Sequence, residues 1–269
     1  MAKKLNPWVV WGLVKELRVA AEDTQPLQIN GPLAPQLEKE LARGAAPGVI
    51  RVGGRIEEAA ILVRVLGGAP TEEDERELRE AKRAKVPLVV VQTDTEVYDV
   101  PYVLATDVVT CRPGAGFPVE EIAAAVAARL GEGGTALAAR VPGLREPVCD
   151  VLIERFSRQN GILGAAFFVP GADFAVLTLN QIRLVLRLAA AHGLEVDQSR
   201  VPEVLATLGA GFGFRAVARQ LLGAIPVAGW VVKGGIAYLG TRGLGEAARL
   251  YFAQVAGSAS ADPATREDP

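Results

Sequence analysis

Lys85-Val86-Pro87-Leu88-Val89-Val90-Val91 carries the strongest structural signal in the chain. It is a β-branched run without polar alternation, the pattern of a strand buried on both faces of a parallel sheet. Just upstream, Thr71 stands three residues before Asp74 at the head of Glu72-Glu73-Asp74-Glu75-Arg76-Glu77, a helix start in which Asp74 replaces the usual glutamate of a capping box. The spacing predicts a helix through Leu78 to Lys85, with Glu72/Arg76 and Glu75/Arg79 as i,i+4 pairs on a solvated face. Farther upstream, Leu27-Gln28-Ile29 reads as a strand and Leu33, Leu37 and Leu41 as one helical face; residues 48–52 and 60–66 read as two further strands. Downstream, Tyr102-Val103-Leu104 with Val108-Val109-Thr110-Cys111 closes the series, and Pro118 begins a helix through Ile122, Val126 and Leu130. Strands alternating with helices specify right-handed crossovers and a parallel sheet covered on both faces. Residues 25–134 are therefore expected to form an α/β domain.

The chain has 269 residues, half of them hydrophobic, with 29 Lys+Arg against 31 Asp+Glu and a formal net charge of -2. That length accommodates one large or two ordinary domains. Charges of both signs are spread along the chain, so the clustered basic face that nucleic acid demands is missing, and no nucleic-acid partner is expected. One His and two Cys, Cys111 and Cys149, cannot assemble a His/Cys zinc cluster, and neither a metal nor a cofactor is expected. The sparse thiols fit a reducing cytoplasmic interior. Mean hydropathy is above zero, at +0.23, which is apolar for ordinary charge content. Part of the chain is expected to be deeply buried or to touch lipid.

Residues 1–24 open with Lys3 and Lys4 and continue as Trp8-Val9-Val10-Trp11-Gly12-Leu13-Val14, which imitates a signal peptide, but Lys15, Glu16 and Arg18 follow where small residues would be needed for cleavage. Asn6 as N-cap and Pro7 at the first helical position predict a short amphipathic helix instead, with Trp8 and Trp11 on one face. Docking on the body of the protein and lying at a membrane interface both suit it. Past the α/β domain, Leu130-Gly131-Glu132-Gly133-Gly134 and Pro142-Gly143 with Pro147 mark composition breaks, between which the domain boundary is expected. Residues 147–256 read as packed helices and residues 257–269 as a disordered tail. The uncharged stretches of this half stop short at Asp173, Arg215 and Lys233, and Pro170 and Pro226 interrupt them, whereas a spanning helix wants about 20 apolar residues. Small residues four apart, Gly209/Gly213 and Ala224/Ala228, let helices approach closely in water or lipid alike. A packed helical bundle and an inserted or interfacial hairpin both satisfy the pattern.

A nucleotide's phosphates would rest on the first strand-to-helix turn, Asn30-Gly31-Pro32-Leu33-Ala34-Pro35. A P-loop requires amides wrapped around phosphate, a Lys for its outer oxygens and a Ser or Thr for magnesium. This turn has neither side chain, and its two prolines delete amides. Residues 235–242 approach the P-loop spacing but lie in an apolar helical region with no strand before them. Gly114 and Gly116 open a helix after a strand, a geometry that can hold an anion. Glu120 and Glu121 already answer that helix dipole, however, so a tight turn is expected there.

With these residues in place, the order of elements resembles the second half of a small GTPase domain. Residues 85–91 look like the strand that leads to the guanine-reading Asn-Lys-x-Asp motif, here Gln92-Thr93-Asp94-Thr95. Thr95 stands where the base-gripping carboxylate would be and Thr93 where the Lys would stack. Pro113-Gly114-Ala115-Gly116-Phe117 is similar to the glycine-bearing final loop. The resemblance implies a degenerate GTPase-like domain, with Gly31, Asp94, Gly114 and Gly116 as candidates for residual nucleotide binding. In the second half, Leu177-Thr178-Leu179-Asn180-Gln181-Ile182-Arg183, Ala224-Ile225-Pro226-Val227-Ala228-Gly229, and residues 241–248 with Tyr251-Phe252 resemble the YcjF-type domain of unknown function, family 697. Its members carry this helical domain after an Era-like GTPase domain or in membrane-associated proteins. The resemblance implies relatives without implying a reaction.

Asp173, Asn180, Gln181 and Arg187 stand among apolar residues and must find partners, since an unpaired buried polar group costs about 1 to 3 kcal/mol. A network linking helix ends is expected, with a small-ligand or ion site as the alternative. Pro226, Gly229, Lys233 and Thr241 complete the structural and interaction candidates. His192 at a helix end reads as a dipole partner, and no Ser or Cys is placed as its nucleophile by any recognisable motif, so no catalytic residue is assigned. The expected function is that of a non-enzymatic interaction or scaffold protein, with a protein partner or self-association and the inner face of the membrane as its docking surfaces. The alternatives are a nucleotide-dependent switch with an unusual site and an integral membrane protein with an inserted helical hairpin.

Overall fold

Five parallel strands form one sheet: β1 (Leu27–Asn30), β2 (Ile50–Val52), β3 (Ile61–Leu66), β4 (Leu88–Gln92) and β5 (Val108–Thr110), in the spatial order β2-β1-β3-β4-β5. They are seen in a computed structural model that describes residues 23–112, 114–166, 173–194 and 230–261, together with Gly12 and Lys15. The chain divides into two units, Glu22–Val148 and Met1–Ala21 with Cys149–Pro269.

In the α/β unit, every residue of β3 and β4 is buried, the apolar ones as strands flanked on both sides demand, and Arg64 and Gln92 with them. Leu62, Leu66, Leu88 and Val90 pack on one face under Leu78 and Ala81 of α2 (Glu72–Ala84). The alternate residues Val63, Val65, Val89 and Val91 turn to the opposite face and are fully buried. Helices α1 (Ala34–Leu41) and α3 (Val119–Leu130) also pack on the sheet and bury Leu37, Ile122 and Val126. Thr71 and Asp74 form the capping box reciprocally, four acidic residues occupy the first turn of α2, and Lys82 and Arg83 the last.

Two connections depart from the sequence reading. Only a 3-10 turn, Ile56–Glu58, joins β2 to β3. Residues 102–104 are not a strand: Pro101 has no amide for a ladder, and Tyr102 turns the backbone at φ +70°. After α3, the turn Gly131–Gly134 leads straight into α4 (Thr135–Arg140), which belongs to this unit. The Arg140 guanidinium there donates to the carbonyls of Asp23, Thr24 and Gln25, tying α4 to the segment that leads into β1.

The helical unit contains α5 (Arg145–Ala166) from Cys149 onward, α6 (Asp173–Ala191) and α7 (Trp230–Ala261). Helices α5 and α7 meet backbone to backbone at glycines. A Cβ on Gly164 would lie 2.8 Å from the Ala237 Cβ, and one on Gly234 would lie 2.8 Å from the Gly161 carbonyl oxygen. Close approach through small residues is thus realised at these positions; Gly209, Gly213, Ala224 and Ala228, where it was expected, lie outside the described residues, as do Trp8, Trp11, Pro226 and Gly229. Among the described residues, no helix is long and apolar enough to cross a membrane.

Candidate functional site

Gly31, Asp94, Gly114 and Gly116 each follow the carboxyl end of a strand and so share one edge of the sheet, the edge at which doubly wound folds bind ligands. The local chemistry there is already engaged. Leu33 caps α1 in the left-handed conformation with no side-chain hydrogen bond. The Ala34 amide donates to the Gly31 carbonyl, and those of Gln36 and Leu37 donate to the Leu33 carbonyl. Pro32 and Pro35 have no amide hydrogen to offer. The first turn of α1 therefore lacks the fan of open donors that holds a phosphate. Gly31 is required by its own conformation, at φ +107°, and by the backbone of β3, since a Cβ would sit 2.1 Å from the Val65 carbonyl oxygen.

The Asp94 carboxylate is likewise occupied. It accepts from the Thr95 amide at 2.6 Å and from the Tyr98 hydroxyl at 3.1 Å. The Thr95 amide and then Tyr98 hold its pKa below the usual carboxylate range. The Tyr98 hydroxyl is shared with Glu96, and hydrogen bonding to that carboxylate, with burial and Asp94 adding to it, pushes the phenol up to about 12. Gln92 pins the same loop through both ends of its amide, accepting from the Tyr98 amide and donating to the Tyr98 carbonyl. Thr93 bonds back to the Leu66 carbonyl through its amide and hydroxyl. Gly114 and Gly116 are left-handed turn residues with open space where a Cβ would be.

The most concentrated polar cluster of the α/β unit was missed in the sequence. Arg64, on central strand β3, is only 7% exposed. Its Nε and Nη2 donate to Asp74 at 2.8 and 2.5 Å, and its Nη1 donates to Glu77 at 2.8 Å. Asn30 donates to the same Glu77 oxygen, and Gln28 bridges Asn30 to the Gly54 carbonyl. Burial raises the Asp74 pKa, but hydrogen bonds from Thr71 and Arg64 and the Arg64 charge outweigh it, leaving the carboxyl below its ordinary value. The available signal was the period of two in β1: Gln28 and Asn30 are polar where a doubly buried strand should be apolar.

In the helical unit, the structure brings Asn180, Gln181 and Thr241 together, and adds Asn160. Thr241 and Asn160 are fully buried. The Asn160 amide donates to the Thr241 hydroxyl at 2.8 Å and accepts from Asn180 at 3.0 Å, while Gln181 donates to Thr241 at 3.3 Å. One polar knot thus pins α5, α6 and α7, and the P-loop-like residues 235–242 are helix. Arg187 is buried elsewhere on α6, the exposed Lys233 contributes its carbonyl to the contact with Gly164, and Asp173 begins α6. His192 is buried and bonds the Leu188 carbonyl through Nδ1 at 2.8 Å. On the surface, Tyr238 and Arg242 hold Glu154, whose pKa falls chiefly through the Tyr238 hydrogen bond. Replacing Asn160 by Leu should cost about 1 to 3 kcal/mol, because Thr241 and Asn180 each lose a buried partner. Urea unfolding followed by circular dichroism checks this, and an unchanged midpoint would mean the knot contributes no stability.

Fold and site together define a parallel α/β unit whose first crossover turn and Asp94 loop are engaged by their own hydrogen bonds, in one chain with a unit of long packed helices. No protein-family model, curated protein or solved structure matches the chain.

Proposed function

We propose that this is a non-catalytic interaction or scaffold protein, with a degenerate GTPase-like domain that has lost its phosphate grip and a helical domain of YcjF type. The observation that carries this reading is the first crossover turn, where the amides of Ala34, Gln36 and Leu37 are spent on the chain's own carbonyls and no Lys or hydroxyl side chain replaces them. The strand order supports it, since the chain steps to opposite sides of β1 and places that turn at the switch point where a nucleotide would lie. The occupied Asp94 carboxylate supports it as well. The resemblance of residues 177–183, 224–229 and 241–248 with Tyr251-Phe252 to the YcjF-type domain supports the reading of the helical part. Protein partners or a second copy of the chain are its binding targets, with the inner membrane face as a second surface. Calorimetric titration with GTP, GDP and ATP in the presence of magnesium should show no heat of binding and no hydrolysis. Micromolar affinity for any of the three would overturn the reading.

A further inference from the structure

At the opposite, amino-terminal edge of the sheet, a cavity of about 240 Å³ is lined by Lys82, Lys85, Tyr102 and Arg129 over an apolar floor that includes Val86 and Leu88. The three cations come from different places: the last turn of α2, the residue that caps it, and the end of α3. No carboxylate lines the hollow. Arg129 has Asp107 at 3.4 Å, but Lys82 and Lys85 make no ion pair among the described residues. The carboxyl-terminal ends of α2 and α3 each bring about half a negative charge to this edge, and Asp107 brings a full one, so the three cations exceed the local negative charge by about one. Tyr102 is fixed as the aromatic wall. Its backbone is held at φ +70°, a conformation a tyrosine adopts only when its surroundings enforce it. Arg79 donates to its hydroxyl at 3.2 Å, and Lys82 Nζ lies 5.3 Å from its ring centroid.

We infer that this cavity binds a phosphomonoester group, its oxygens bonded to Lys82, Lys85 and Arg129 and its small organic portion resting on Tyr102 and the apolar floor. Three convergent cations, of which Arg129 alone is paired with a carboxylate, match a compact anion, and the volume admits a phosphate with a few carbon atoms. The site lies away from the crossover turn, so it stands or falls independently of the missing nucleotide grip. The group can come from a soluble metabolite or from a lipid headgroup, and two probes separate these sources. The full chain is titrated with glycerol phosphate, and is sedimented with phosphatidylcholine vesicles with or without phosphatidic acid. Saturable sub-millimolar binding is expected in one arm, with amide shifts at Val86 and Leu88. The variant Lys82→Gln/Lys85→Gly should weaken it by about tenfold or more. Both residues are exposed, and glycine suits the left-handed conformation of Lys85, so the variant is expected to keep the wild-type melting temperature. Absence of saturable binding in both arms, or binding that this variant leaves unchanged, would overturn the assignment.

Discussion

Replacing Arg64 by Ala is expected to destabilise the α/β unit by about 3 to 5 kcal/mol, a large part of the 5 to 15 kcal/mol typical of a domain. The guanidinium is the cation shared by Asp74 and Glu77 beneath α2, and its removal leaves two carboxylates with little access to water. The loss also loosens the head of α2, because Asp74 both pairs with Arg64 and closes the capping box with Thr71. Arg64→Lys should recover only part of the deficit, since an ammonium cannot reproduce the fork that reaches Asp74 through two nitrogens and Glu77 through a third. The effect carries a pH signature. Asp74 has a depressed native pKa, so its contribution is present above the unfolded value of about 3.9 and disappears as pH falls through the lower native value. The gap between wild type and Arg64→Ala should therefore narrow as pH falls below about 4 and Asp74 takes up its proton and no longer needs the cation. The three tryptophans, at positions 8, 11 and 230, lie outside this unit, so amide hydrogen exchange of β3 is the appropriate readout. Equal protection in wild type and variant would show that the cluster contributes nothing.

Gly31→Ala should cost about 3 kcal/mol or more, and Gly114→Ala only about 1 to 2. Both glycines have positive φ and both follow a strand, so sequence makes them equal candidates for a phosphate turn. Their surroundings differ. The added methyl at position 31 would overlap the Val65 carbonyl oxygen, an atom of the central strand that cannot retreat without breaking sheet hydrogen bonds, whereas at position 114 it would meet open space. Urea midpoints of the two variants, measured side by side by hydrogen exchange, test the difference. Equal costs would remove the close approach of backbone to backbone as the reason for Gly31.

The elements of the α/β unit were legible because their signals are local. A β-branched run, a Thr and an Asp three apart, and a proline before a helical period each specify conformation through a few neighbouring residues. The segment 102–104 misled because its apolar residues match a strand while the turn at Tyr102 depends on a backbone conformation that side-chain type does not reveal. The knot in the helical unit was half legible: Asn180, Gln181 and Thr241 are conspicuous among apolar neighbours, but Asn160 lies 81 residues from Thr241 and carries no sign of its partner. Arg64 was hidden within a strand otherwise made of Ile, Leu and Val.

By itself the sequence determined the alternation of strands and helices, the cap of α2, and the lack of Lys and hydroxyl at the first crossover, since each depends on residue type within one turn or one strand. Tertiary structure alone decided which polar groups meet. Arg64 reaches Asp74 and Glu77, Asn160 meets Thr241, and three cations converge beside Tyr102 because parallel register and helix packing bring together residues that the chain keeps apart.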